Sequence, residues 1–223
     1  MMSNILEEIK QEVDQERWLS LWKKYQNHVY SGVTAVLVIA AGMMWWQNHQ
    51  TSKTSIQSNE YTQALVISES DPERAFKIFE HIPAKGETIY AQLSRFWVAA
   101  ILLERGDTKG AKELYDIIYQ NSSGLFASSS LKILGQLAQL HGLYIEIDTV
   151  DPQIIIQKAT PYASADSPWR HLGNELLGLS YLKKGDKEKA RSSLHKILED
   201  PKVPAAFKVR AQAIINYLNT DQK

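Results

Sequence analysis

The sequence contains no cysteine, which excludes disulfide bonds, thiol nucleophiles and cysteine metal ligands. Its 25 basic and 25 acidic residues give no net charge, whereas proteins that bind nucleic acid normally carry a basic excess. Alternation of polar and apolar side chains, the pattern of a strand, is confined to residues 143–147, which are too few to carry a sheet. We therefore expect an all-α protein that has no nucleic-acid partner.

Motifs for catalysis are also absent from the sequence. The six histidines are scattered, and none belongs to an HExxH or comparable metal-binding spacing. There is no glycine-rich phosphate loop and no GxSxG nucleophile elbow. Asp107 and Asp186 occupy corresponding places, but each is better explained as a helix cap than as half of an acid–base pair. We predict no catalytic, cofactor-binding or metal-binding residues, and only a cleft of strongly perturbed carboxylates would favour an enzyme.

One long apolar run, residues 29–46, is without any charged side chain. As a helix its 18 residues span roughly 27 Å, close to the ~30 Å hydrocarbon core of a bilayer. Aromatic side chains, which favour headgroup depth, lie near both boundaries. We predict a single transmembrane helix over 29–46. The residues predicted at the membrane interface are Trp22, Lys23, Lys24, Tyr25, Trp45 and Trp46.

A signal peptide, a buried core helix and an interfacial helix each fit this run less well. A signal peptide fits poorly because 28 residues precede the run and bulky Met-Met-Trp-Trp, at its end, stands where small cleavage residues belong, although Ile39-Ala40-Ala41 is a weak cleavage site. A buried core helix would need a large partner upstream, and there is none. An interfacial helix needs a polar face, and only Ser31 and Thr34 offer one.

Basic residues near the predicted span indicate its orientation. Arg17, Lys23 and Lys24 precede it, and only Lys53 follows within about 15 residues. Residues 1–28 are therefore predicted to be cytoplasmic, in a bacterial inner membrane, and the rest of the chain periplasmic. Residues 1–28 form an amphipathic arm that either lies on the bilayer or docks a partner. A polar spacer is predicted over 47–60 and a repeat domain over 61–223.

An internal repeat is the strongest signal in the distal part of the chain. Residues 102–107 correspond to residues 181–186, an offset of 79 residues. In both units a first helix is predicted to end at glycine, whose access to positive φ lets the chain reverse, and the following aspartate is predicted to cap a second helix. Further positions that correspond are Leu93 and Leu172, Val98 and Leu177, Ala99 and Gly178, Leu103 and Leu182, Ala111 and Ala190, and Ile118 and Ile197.

Weaker copies flank and separate these two hairpins. In the middle copy Gly135 takes the small position, Gly142 is predicted to terminate the first helix, and a second helix is predicted from Asp151-Pro152 to a residue before Pro161. The preceding copy is predicted from a helix over 55–68 and a second helix that Asp71-Pro72-Glu73 caps. An amphipathic helix over Pro204–Asn219 is predicted to close the array. This spacing resembles the tetratricopeptide repeat, and it predicts a solenoid of helical hairpins.

First helices of stacked hairpins line a groove that can bind a polypeptide. Leu179 is an equally good candidate for the inter-helix core. The residues predicted to line a protein-binding groove are Phe96, Lys132, Gln136, Gln139, Glu175 and Leu179.

A second resemblance covers nearly the whole chain. It is carried by Glu12-Val13-Asp14, Arg17 and Leu21–Tyr25 before the apolar run, and by Ser167-Pro168-Trp169-Arg170 before the last repeat. With the paired tryptophans 45 and 46, these motifs resemble the YfgM-like family of ancillary subunits of the SecYEG translocon. The resemblance implies association with the SecYEG channel and with a membrane-bound periplasmic chaperone, and help for exported polypeptides.

Two functions therefore follow from the sequence. The first is a membrane-anchored protein-binding subunit of the Sec translocon that handles exported polypeptides in a chaperone-like way. The second is a tethered scaffold for another envelope complex, such as one for cell division or outer-membrane assembly. An arm and span that an unrelated anchor can replace would favour the scaffold.

Overall fold

The computed structural model describes residues 54–85, 87–124 and 127–220, which belong to one compact unit that begins at Thr54. These residues form helices and connections without a strand, so the all-α prediction is confirmed for this part of the chain. The α-helices are α1 (54–67), α2 (Pro72–His81), α3 (Ile89–Glu104), α4 (Thr108–Ser122), α5 (Ser129–Glu146), α6 (Pro152–Ala159), α7 (Arg170–Lys183), α8 (Lys187–Glu199) and α9 (Ala205–Thr220). Short 3₁₀ helices follow α2 (Ile82–Lys85) and α6 (Thr160–Ala163).

The predicted arm, transmembrane helix and interface residues all lie outside the described residues. Within the described part, no helix is both long enough and apolar enough to cross a bilayer. Helix α1 (54–67) confirms the helix predicted over 55–68, so residues 54–60 of the predicted spacer 47–60 belong to this helix, and its earlier residues lie outside the described ones. The polar composition suggested a linker there, but Gln57 is fully buried and its amide donates to the carbonyl of Ile82. A polar side chain that has a buried partner can belong to a packed helix.

The two turns of the predicted repeat are nearly identical in the structure. Gly106 and Gly185 have φ of +83° and +84°, and within the described residues no other position has a positive φ. In both turns the aspartate N–H reaches the carbonyl five residues back, Asp107 to Leu102 at 2.8 Å and Asp186 to Tyr181 at 2.9 Å. This is the Schellman arrangement, in which glycine ends the helix and the chain reverses.

Aspartate side chains cap α2, α4, α6 and α8, as predicted. Asp107 accepts from the N–H of Gly110 at 2.8 Å, and Asp186 accepts from the N–H of Lys189 at 3.1 Å. Asp71 and Asp151 cap α2 and α6, each of which has proline at its first position. Such caps satisfy N–H groups that have no partner within the helix.

Small residues set the distance between paired helices. Ala111 and Ala190 are fully buried at corresponding positions of α4 and α8. A Cβ atom added to Gly178 would lie 2.8 Å from Cγ of Leu194, so α7 and α8 approach closely only because Gly178 has no side chain. The predicted small positions of the repeat therefore bring the two helices of a hairpin together.

The middle hairpin departs from the prediction at Gly142. Helix α5 continues beyond this glycine to Glu146, and Ile147 is its C-cap residue. Gly142 does not have a positive φ, and a Cβ there would lie 3.3 Å from the aliphatic chain of Lys112. The glycine thus provides space for a neighbouring side chain rather than a stop signal, and the prediction of a terminator is wrong.

Packing follows the order of the chain. From α3 onward each helix packs against the next one, and α3, α5 and α7 also contact one another in succession. Apolar clusters lie at successive hairpins, and the last one includes Ala190, Leu194 and Ile197 of α8 with Ala211, Ile215 and Leu218 of α9. Helix α9 therefore covers the last hairpin, as predicted for the closing helix.

Candidate functional site

A small cavity lies between α4, α5 and the 3₁₀ helix that precedes α7. Its volume is about 210 Å³, and we call it the tyrosine cavity. It is lined by Tyr119, Ser122, Ser123, Lys132, Gly135, Gln136 and Tyr162. The absence of a side chain at Gly135 lets α5 contact α4 here, because a Cβ atom would lie 2.4 Å from Cβ of Ser122.

Two glutamines of α5 are held by aromatic side chains beside this cavity. The indole Nε1 of Trp169 donates to Oε1 of Gln136 at 3.2 Å. The hydroxyl of Tyr162 donates to Oε1 of Gln139. Because each amide oxygen is already engaged, the Nε2 group of each glutamine is the end left to donate to a further acceptor. Such amide donors suit the carbonyl oxygens of an extended polypeptide.

Charge and burial distinguish the two sides of the tyrosine cavity. Lys132 is exposed and forms no ion pair with any described residue. Tyr162 is half-buried, and burial raises the pKa of its hydroxyl, with Tyr119 nearby adding to the shift. Tyr162 therefore stays a neutral hydrogen-bonding group at ordinary pH, while Lys132 supplies a positive charge at the rim.

Three of the predicted groove residues come together at this cavity. Lys132 and Gln136 line it, and Gln139 is bonded to Tyr162, which also lines it. Their spacing on α5 places all three on one face of that helix. Whether they bind a polypeptide remains a prediction.

Glu175 lies elsewhere and has its own partners. Its carboxylate is 5% exposed and accepts from Nε and Nη2 of Arg210 at 2.6 and 2.8 Å. The hydroxyl of Tyr144 donates to it at 2.9 Å, and burial, followed by the charge of Glu175, raises the pKa of that tyrosine. Glu175 therefore joins α5, α7 and α9 inside the fold, and its carboxylate is not available to a ligand.

Phe96 is half-buried against two other rings. Its centroid lies 5.0 Å from that of Tyr115 and 5.1 Å from that of His141. Burial raises the pKa of Tyr115 to about 12 and lowers the pKa of His141. These three rings fill the space between α3, α4 and α5, so Phe96 has mainly a packing role. Leu179 is half-buried on α7.

Three aromatic side chains at this site were not predicted as site residues. Tyr119 lies in the last turn of α4, Tyr162 follows the proline that stops α6, and Trp169 lies just before α7. Two of them, Tyr162 and Trp169, lie in the connection between α6 and α7. Helical periodicity does not extend through a connection, so it does not predict which way these side chains point. A usable signal was the Ser167–Arg170 motif, which carries the family resemblance and includes Trp169. Across the described residues no three His, Asp or Glu side chains are grouped as a metal site would require.

Comparison with known proteins places this architecture in a family. The family model described as tetratricopeptide repeat-like domain matches residues 19–203. The ancillary SecYEG translocon subunit of Aggregatibacter actinomycetemcomitans is 28% identical over 194 residues, and the match covers 84% of this chain and 90% of that protein. No solved structure matches the chain. The two matches confirm the resemblance that the sequence motifs indicate.

Proposed function

Because the chain belongs to the tetratricopeptide repeat-like domain family, we propose that it is a protein-binding subunit that works beside the bacterial Sec translocon. The support is that the relative is named as a translocon subunit and that the match covers most of both chains. Stacked helical hairpins present surfaces for polypeptides and need no catalytic groups. We propose binding, without enzymatic activity or a cofactor.

We propose that residues 29–46 anchor the protein in the inner membrane, with residues 1–28 in the cytoplasm and the repeats in the periplasm. The support is the charge-free run and the basic residues that precede it. In this arrangement Trp22, Lys23, Lys24 and Tyr25 lie at one membrane surface and Trp45 and Trp46 at the other. The anchor keeps the repeats near the channel exit and raises their effective concentration there without tight contacts.

The tyrosine cavity is the observation that carries the binding role. It combines aromatic faces, two oriented glutamine amides and a free lysine over a small area. These groups contact the backbone and side chains of an extended chain without demanding one sequence. Exported polypeptide segments, and the membrane-bound periplasmic chaperone that the family resemblance implies, are the proposed partners.

Site-specific photo-crosslinking in the full-length protein tests this function. A photoreactive residue replaces Lys132 at the rim of the tyrosine cavity or, as a matched control, the exposed Lys158 of α6. We expect crosslinks from position 132 to channel subunits, the chaperone or exported chains, and few from position 158. Equal crosslinking at both positions, or none to proteins of the export machinery, would contradict the proposal.

Replacing residues 1–47 by an unrelated N-in anchor separates the two functions that follow from the sequence. Co-purification from mild detergent, through a tag after Lys223, should recover channel subunits with the native protein and lose them with the chimera. If both versions recover the same proteins of another envelope complex, the repeats select the partner and the protein is a scaffold.

A further inference from the structure

A second and larger cavity lies at the junction of α7 and α8. Its volume is about 760 Å³, and we call it the lysine cavity. The connection after α6, the first turn of α7 and the end of α8 with its following turn form its walls. The polar and charged side chains that the inference uses are Arg170, His171, Asn174, Lys196, Asp200 and Lys202.

Asp200 is the one half-buried carboxylate in the lining of this cavity, and it already has partners within the protein. Nε of Arg170 and Nε2 of His171 contact Oδ2 of Asp200 at 2.6 and 2.8 Å. The backbone N–H of Lys202 donates to Oδ1 of Asp200 at 2.8 Å. The bond from Arg170, then the backbone bond and the histidine bond, hold the pKa of Asp200 well below its usual range. This carboxylate is therefore ionised and internally satisfied.

Two cations of the lysine cavity remain free. Lys196 and Lys202 are exposed, and neither side chain has an ion-pair partner among the described residues. Glu199, also exposed, is the remaining carboxylate in the lining. With Arg170 and Asp200 paired, the lining keeps an excess of one positive charge. Helix α7 also begins here, and its N-cap residue, Trp169, makes no side-chain cap hydrogen bond.

Asn174 adds a buried acceptor to the same cavity. It is 5% exposed, and its Nδ2 donates to the carbonyl oxygens of Arg170 at 2.8 Å and Ala163 at 3.1 Å. These two bonds fix the orientation of the amide. Its Oδ1 is buried and has no partner within the described part of the chain. A buried acceptor without a partner is unusual, and a ligand N–H would satisfy it.

The lysine cavity and the tyrosine cavity share a wall. Tyr162 lines the tyrosine cavity, and the next residue, Ala163, lines the lysine cavity. Both residues belong to the 3₁₀ helix Thr160–Ala163. The two linings are therefore one residue apart along the chain at this helix, a Cα–Cα separation of about 3.8 Å, and the cavities are neighbours.

We infer that the two cavities together bind one extended, acidic polypeptide segment. Its carboxylates face Lys196 and Lys202, one of its backbone N–H groups donates to Oδ1 of Asn174, and its continuation contacts the glutamine amides and Lys132 at the tyrosine cavity. The inference rests on the proposed function and adds the chemistry of the segment. A polypeptide is favoured over a lipid headgroup because the two glutamine amides offer donors and the Asn174 amide offers an acceptor, which together match the C=O and N–H groups that alternate along a backbone.

Peptide binding to the full-length protein in nanodiscs of neutral lipid tests this inference. The probes are a fluorescent peptide of about ten residues, half of them Asp or Glu, and its isosteric Asn and Gln version. We expect the acidic peptide to bind about tenfold more tightly, with an advantage that decreases as salt is added. The double variant K196A/K202A should remove most of the difference, and the matched variant K109A/K158A, at two exposed lysines elsewhere, should keep it.

Three results would overturn the inference. The first is equal binding of the two peptides, and the second is an equal loss of acidic-peptide binding in both double variants. The third is lysine-dependent binding of vesicles that contain phosphatidylglycerol without binding of the acidic peptide, which would make the lysines a membrane contact. Co-purification keeps the two proposals apart, because K196A/K202A should still recover channel subunits. A protein that binds the acidic peptide but never recovers the channel would refute the proposed function alone.

Discussion

At the scale of single residues, Asp200 shows how one carboxylate holds a cavity wall together. It receives bonds from two side chains of α7 and from the backbone of its own turn. Because its pKa is lowered in the folded chain, its contribution to stability is present above the pKa of the unfolded state, about 4, and is lost as pH falls through the folded pKa.

D200N should therefore change how stability depends on acid. Between about pH 4 and pH 2 the wild-type protein should lose stability more steeply than D200N, since the variant has no carboxylate to protonate. The melting temperature of the full-length protein in detergent, followed by circular dichroism at each pH, measures this. D148N is the control, because Asp148 is 82% exposed in its pair with Lys183 and should leave the slope nearly unchanged. Parallel curves for wild type and D200N would contradict the prediction.

Within one helix, the sequence predicts which side chains share a face. Lys132, Gln136 and Gln139 share a face of α5 because helical periodicity alone puts them there. Glu175 was placed in a groove for the same reason, but its surroundings depend on Arg210, which arrives from α9, 35 residues later. Local periodicity predicts which way a side chain points. It does not predict which side chains of another element will contact it.

At the scale of elements, the two Gly-Asp turns explain why the hairpins form. Gly106 and Gly185 are in the left-handed region, and an added Cβ atom would meet no atom within 4 Å at either position. A substitution there costs backbone conformational energy without a clash. These turns were predictable from sequence because the chemistry is local: positive φ, then a side-chain cap.

G185A should lower the free energy of unfolding by about 1–2 kcal/mol, the cost of placing an L-residue in this conformation. G185N should lose less, because asparagine tolerates the left-handed region better. Urea unfolding of the full-length protein in detergent gives both values. Equal losses for alanine and asparagine would show that something other than φ determines the cost.

Gly142 could not be assigned correctly by the same argument. In sequence it looks like Gly106 and Gly185, yet its role comes from the aliphatic chain of Lys112, which packs against it from α4. A glycine marks a helix end only if the chain turns there, and close approach of another side chain is a different reason for its presence.

At the scale of the whole molecule, helices pack mainly against their neighbours in the chain. Apolar clusters at the first and last hairpins, centred on Phe79 and Leu194, share no residue. The stability of such an array is approximately a sum of terms from each hairpin and its neighbours. A destabilising substitution should therefore affect mainly the hairpin that contains it. The solenoid character was predictable from the repeat offset, whereas the cavities between connections were not, because connections have no periodicity.

L194A should remove about 2–5 kcal/mol from the last hairpin, since Leu194 is fully buried. Hydrogen exchange followed by mass spectrometry should show lost protection in α7, α8 and α9, with α2 and α3 little changed. F79A should give the opposite pattern, because Phe79 is equally buried in the first cluster. Uniform loss of protection in both variants would mean that the described unit unfolds as one cooperative body.

The bond between Glu175 and Arg210 determines where the array can be lengthened. A hairpin inserted between α8 and α9 would carry Arg210 away and leave the carboxylate of Glu175 buried without its cation. A hairpin added after Thr220 would leave the pair intact and could stack on Val209 and Tyr217, which are 69% and 60% exposed on α9. Duplication can therefore extend this protein beyond its closing helix but not before it.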